Sequence, residues 1–208
     1  EAEVEYEDIV STQIDVAFEI GESPIAELVG AHAVIWTTTP WTIPVNQAIA
    51  YGPEIPYVLY QRQSYDGSGA PVRYLVAHDL RDAFEARVDA CTEELGLWSS
   101  EFFATGKHLA GTVARHPMHH LGGFFAEPRP FLPGEFVTTD SGTGLVHMAP
   151  DHGEDDFELC RANGHQPQFV VEADGRYRDN WPWLPRNDER SMSVINPKLN
   201  APDGPVCT

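Results

Sequence analysis

The stretch "HAVIWTTTPWTIPVN", His32 to Asn46, restricts the fold more than any other. The apolar run Ala31 to Trp36 reads as a buried strand, yet it cannot continue. Pro40 and Pro44 have no amide hydrogen to give a ladder, and a residue before proline is pushed to extended geometry. The strand must lose regularity near Thr39, which leaves Thr37, Thr38 and Thr39 at its end.

Similar punctuation organises the first half of the chain. Val4 to Ile20 mixes alternating and continuous apolar runs and predicts one or two strands before a turn at Gly21 to Pro24. Ala48 to Tyr51 and Tyr57 to Gln61 predict strands around a Gly52-Pro53 turn, and "YDGSGAP" (Tyr65 to Pro71) predicts a hairpin-type loop before a strand at Arg73 to Ala77. Leu80, Phe84, Val88, Cys91 and Leu95 then step by three or four, which predicts a helix from His78 to Leu95 ending at Gly96. Gly106 to Gly134 is broken by Gly and Pro and holds short strands at best.

The second informative stretch is "TTDSGTGLVHMAPDHGEDDFELCRANG", Thr138 to Gly164. A glycine-rich turn, a short strand Leu145 to Met148 and a helix stopped by Gly164 are expected. Asp151 and Glu154 have capping-box spacing, and an acidic first turn suits the helix dipole. His147 then sits at a strand end and Asp156 about one turn into the helix, where both can face one pocket.

With 208 residues the chain, 1–208, suits a single domain with a sizeable core. It starts at Glu1, shows no signal-peptide pattern and no apolar run long enough for a bilayer, and reads as a soluble piece excised from a longer protein. Cys91, Cys160 and Cys207 are far apart, form no CxxC pair and suggest no disulfide framework, which fits a reducing compartment. Lys and Arg number 13 against 32 Asp and Glu, a formal charge of −19. Nonspecific attraction to a phosphate backbone, DNA included, is thereby disfavoured, so any nucleic acid has to be held locally or delivered by something else.

Three chemistries compete for the second stretch. His147, Asp151, His152, Glu154, Asp155 and Asp156 resemble metal-ligand types, but the spacing is not HExxH and the acids also serve as ordinary helix-start residues. Ser141 in "DSGTG" lacks the GxSxG nucleophile elbow, and "GTG" lacks the rest of a phosphate-binding fingerprint. What remains is a polar pocket of threonine hydroxyls, one histidine and one carboxylate beside tryptophans. Such a set can orient a water, receive an ammonium group and stack a base without a covalent step. Chemistry alone leaves many substrates open.

"WTTTPWTIPVNQAIA" and "GTGLVHMAPDHGEDDF" together resemble the two signature stretches of the editing domain inserted into isoleucyl-tRNA synthetase. "VEYEDIVSTQIDVAFEI" resembles the entry into that insertion, and "RYLVAHDL" and "GTVARHPM" fit its interior more loosely. Thr39 stands where the valine and leucine relatives usually have arginine, and the "HIGH" and "KMSKS" signatures of the synthetic site are absent.

The resemblance implies a mainly β, α+β fold: a β-barrel-centred editing domain of the valyl/isoleucyl/leucyl type with peripheral helices. It implies hydrolysis of valine mischarged onto isoleucine tRNA, and of valyl-adenylate, in the cytoplasm. An isoleucine pocket rejects valine by one missing methylene, about 1–3 kcal/mol, a general limit for which the isoleucine enzyme is itself the standard worked case. In the resemblance Thr37, Thr38 and Thr39 contact the terminal adenosine, the amino acid and the hydrolytic water, while Trp41 walls the pocket and Asn46 lies nearby. His147 lines the side-chain pocket and crowds out isoleucine, and Asp156 holds the α-ammonium. No metal or cofactor is implied for editing, ATP serving only the absent synthetic domain. The implied partners are the acceptor end of isoleucine tRNA, valine or valyl-adenylate and the remainder of the synthetase, with neither membrane nor DNA. A noncatalytic aminoacyl-end binding module and a metal-dependent hydrolase using the His147/His152/Asp cluster are the alternatives.

Overall fold

The structure, a computed structural model, describes residues 12–65, 67, 69–92 and 96–171. In chain order its strands are β1 (Ile14–Glu22), β2 (His32–Thr37), β3 (Ala48–Tyr51), β4 (Pro56–Ser64), β5 (Val72–Ala77), β6 (Gly96–Thr105), β7 (Val113–Arg115), β8 (Pro128–Pro133) and β9 (Leu145–Met148), with helices α1 (Arg81–Thr92) and α2 (Glu154–Ala162). Among the described residues the strands form one sheet in the order β6-β4-β5-β2-β1-β7-β8-β3-β9. Pairing is antiparallel except for β2 with β5 and β3 with β8. The α+β class expected from the sequence, dominated by sheet, is the one that forms.

The sheet curls, and its far end returns to its middle. Ala77 N–H donates to Thr143 O at 2.7 Å and the Thr143 hydroxyl donates to Val34 O at 2.6 Å, which ties the segment entering β9 to β5 and β2. The Tyr57 hydroxyl reinforces this seam, accepting from Gly52 N–H at 2.9 Å and donating to Gly144 O at 2.7 Å. Gly144 has φ +76°, and a Cβ there would collide with the Ala77 methyl. Only glycine suits that position.

The continuous apolar run of β2 follows from burial on both faces. Ala33 and Ile35 enter the main core with Phe18, Leu59, Leu75 and Leu145, whereas Val34 faces the other way onto Val58, Val76 and Phe84 of α1. Each large apolar side chain buried in this way contributes about 1.5–3 kcal/mol before its ordering entropy is subtracted.

Several expectations need correction. Of the first predicted strand region, residues 4–11 lie outside the described residues, and β1 covers the rest. The helix opens with a 3-10 turn at His78–Leu80 and continues as α1 to Thr92. Leu95 is outside the described residues, and Gly96 starts the ten-residue β6 instead of capping a helix. Asp151 is not the cap of α2: Gly153 occupies that position with no side-chain cap bond, while Asp151 pairs with His152 at 3.2 Å. Gly164 does end α2, at φ +84°, with its N–H on Arg161 O and that of His165 on Cys160 O. Cys160 is a buried free thiol, and Cys91 is half-buried.

Candidate functional site

Where β2 ends, Pro40 at the first position starts a 3-10 turn over Pro40–Val45. Its fixed φ suits a helical first turn, and its missing donor costs nothing there. In a 3-10 turn residues three apart eclipse, so Thr39 and Thr42 fall on one side. Thr42 N–H and the Thr42 hydroxyl both donate to Thr39 O, at 3.0 and 2.8 Å. The Thr37 hydroxyl accepts from Thr39 N–H at 3.0 Å and lies 3.0 Å from the Thr39 hydroxyl, which is 3.4 Å from that of Thr42.

The row ends on β9. Thr42 Oγ1 lies 2.9 Å from His147 Nε2, and both side chains are buried. Because the Thr42 proton is committed to Thr39 O, Thr42 accepts from the ring, which places the His147 proton on Nε2. Nδ1 is then a bare acceptor, buried and without a partner among the described residues. Burial also pushes the His147 pKa down to about 4, with His152 adding a smaller contribution in the same direction, so the ring is neutral near pH 7. A chain of hydroxyls ending on a neutral imidazole is suited to orienting a water rather than to generating a strong base.

Asp156 stands in the first turn of α2, half-buried, and its Oδ2 accepts from Ala149 N–H at 2.8 Å, two residues beyond His147. Burial raises its pKa, opposed by that hydrogen bond. A partly desolvated carboxylate of this kind gains much from an incoming cation.

The remaining candidates are placed differently. Asn46 is fully buried, its Nδ2 donating to Ala48 O at 2.8 Å and its Oδ1 buried without a partner among the described residues. Thr38 is exposed, and Trp41 is 46% exposed. Thr37, Thr39 and His147 are thus brought together through Thr42, a residue not singled out from the sequence. Its i+3 relation to Thr39 after a helix-starting proline was the available signal. Asp151 and His152 pair with each other ahead of α2, and among the described residues no group of three or more His, Cys, Asp or Glu converges as a metal site would require.

No family model matches the chain. Over 208 residues, all of this chain and 20% of the relative, it is 53% identical to isoleucine–tRNA ligase of Zymomonas mobilis subsp. mobilis. It is 49% identical to that of Gluconobacter oxydans over 192 residues, 89% of this chain and 19% of the relative. The chain therefore spans about a fifth of the length of the curated relatives it matches. Among solved structures, the leucyl-tRNA synthetase domain GlLeuRS-CP1 matches with a TM-score of 0.51 at 18% identity, covering 63% of this chain and 43% of that one, a likeness of fold alone.

The fold is of the kind seen in the synthetase domain GlLeuRS-CP1. The sequence is similar, over all or most of its length, to one segment of these isoleucine–tRNA ligases.

Proposed function

We propose that this single domain proofreads for an isoleucine–tRNA ligase, hydrolysing valine esterified to isoleucine tRNA, and valyl-adenylate, while sparing isoleucine. The observation carrying this reading is the row of Thr37, Thr39 and Thr42 hydroxyls, buried at Thr37 and Thr42 and half-buried at Thr39, that ends on neutral His147, two residues before the amide held by Asp156. In this reading Asp156 receives the α-ammonium of valine, and the His147 ring bounds the space for its side chain. The threonine hydroxyls hold a water against the ester carbonyl. The water oxygen bonds to that carbon, the carbon–oxygen bond to the ribose breaks, and the ribose oxygen leaves with a proton.

Exposed Thr38 and Trp41 flank the mouth and meet the terminal adenosine, Trp41 offering an aromatic face for stacking. Asn46 supports the turn from beneath. With a formal charge of −19 the domain depends on the rest of the ligase to deliver the acceptor end. The reaction needs no metal or cofactor, and its setting is the cytoplasm. No helix among the described residues is long and apolar enough to cross a membrane.

The test is deacylation of valine-charged against isoleucine-charged isoleucine tRNA by the full ligase, with and without Asp156→Ala, in the presence and absence of a chelator. The expected result is clearance of valine alone, lost in the variant and indifferent to chelator. Unchanged clearance in the variant would remove Asp156 from the site, and loss on chelation would favour a metal-dependent hydrolase.

A further inference from the structure

His116 is a buried titratable side chain for which the proposed reaction has no use. It is fully buried between the rings of Phe18, at 5.7 Å, and Phe125, at 4.9 Å. Its Nδ1 accepts from Met118 N–H at 3.0 Å, which leaves Nε2 to carry the proton and donate it to Ile43 O, also at 3.0 Å and 73 positions away in the chain. Both ring nitrogens are thus committed in a single tautomer.

Ile43 lies inside the turn that holds Thr39 and Thr42, and two of that turn's six residues are prolines. Pro40 and Pro44 contribute no N–H groups, and the two ends of the turn are closed by Thr42 N–H on Thr39 O and Asn46 N–H on Ile43 O, both at 3.0 Å. We infer that His116 is a positioning residue for the hydrolytic reaction: its Nε2–H fixes Ile43 O, and through it the register of the Thr39 and Thr42 hydroxyls against His147. This inference rests on the proposed editing activity for its rate effect, but not for its effect on the turn.

Two variants separate the ring's two bonds. The amide of Gln reaches the place of Nε2 and keeps the donor to Ile43 O. The amide of Asn reaches only the place of Nδ1 and keeps the acceptor for Met118. In the full ligase, His116→Asn is expected to lower kcat for valyl-tRNA deacylation on the order of a hundredfold with KM little changed, since small displacements of a positioned water are costly, and His116→Gln to recover most of it. Hydrogen exchange measured by mass spectrometry should rise selectively over residues 39–47 in His116→Asn and return to the parent level in His116→Gln.

Equal kcat in parent and His116→Asn would overturn the inference while leaving the editing activity in place. Exchange that rises evenly over the whole domain would overturn it too, by reducing His116 to a general packing residue. If the parent ligase does not clear valine, the editing activity itself fails, and positioning for hydrolysis falls with it. A selective rise over residues 39–47 would then still show His116 holding the turn.

Discussion

His147 Nε2 and the Thr42 hydroxyl meet at 2.9 Å although 105 positions separate them in the chain. This bond joins the two stretches on which the site depends and fixes the histidine tautomer. Removing the hydroxyl strands a buried N–H, which costs about 1–3 kcal/mol. Thr42→Val, close in shape, should therefore lower the urea midpoint and valyl-tRNA deacylation together, and Thr42→Ser should restore both. Equal midpoints for parent and Thr42→Val would show that the bond contributes nothing.

Acid should destabilise the fold well before the carboxylates titrate. Burial holds His147 down to about 4 and His116 down to about 3, against 6.5 for a free ring. A histidine whose folded pKa is depressed takes up its proton in the unfolded chain first. Its stability is thus complete above pH 6.5 and falls as pH drops toward the folded value. At pH 5 the two rings together cost on the order of 4 kcal/mol relative to pH 7.5. Asp156 works the other way, since its raised pKa favours the folded state on protonation. Urea unfolding at pH 7.5, 6 and 5 should show the decline, and His147→Asn should make it shallower over pH 6.5 to 4.

The hydrogen bond that Asp156 accepts and the ammonium contact proposed for it can be parted by substitution. Asp156→Asn keeps an acceptor for Ala149 N–H but removes the charge, whereas Asp156→Ala removes both. Asn should hold thermal stability near the parent while deacylation falls at least tenfold, as expected when a charged partner for an ammonium is lost. Ala should lower both, with about 1 kcal/mol lost from folding. Full deacylation by Asp156→Asn would mean that the carboxylate charge is not what holds the substrate.

Gly144 is the tightest point of the seam that closes the sheet. An added methyl meets the Ala77 methyl with the backbone at φ +76°. Overpacking and left-handed strain together should cost Gly144→Ala about 2–5 kcal/mol. The double variant Gly144→Ala, Ala77→Gly should regain the steric part only. Thermal unfolding of the single and double variants measures the two contributions.

Much of this was legible in advance wherever the chain punctuates itself. The β2 run ended by Pro40 and α2 ended by Gly164 each carry their own stop, so the strand end and the helix end fell where expected. The strand β6 did not announce itself because it is an edge strand: Leu97 and Phe103 are more than half exposed, at 54% and 56%, which blurs the alternation that marks a half-buried strand. Asp151 misled because its spacing to Glu154 fits a capping box, while the folded chain gives its carboxylate to His152 and starts the helix after Gly153. Thr42 was readable from local turn geometry. His116 was not, because its importance lies in one carbonyl 73 positions away that only the closed fold brings to it.

The seam through Thr143 and Gly144 also sets when the site comes into being. Synthesis from the N-terminus delivers the threonines long before the histidine, and among the described residues β9 is the last strand of the sheet to emerge. Until it docks, β3 has no partner on one side and offers a bare row of backbone donors and acceptors to any passing strand. A nascent or truncated chain lacking β9 and α2 therefore has most of its β-sheet but neither His147 nor Asp156, and it exposes an edge that the finished domain covers.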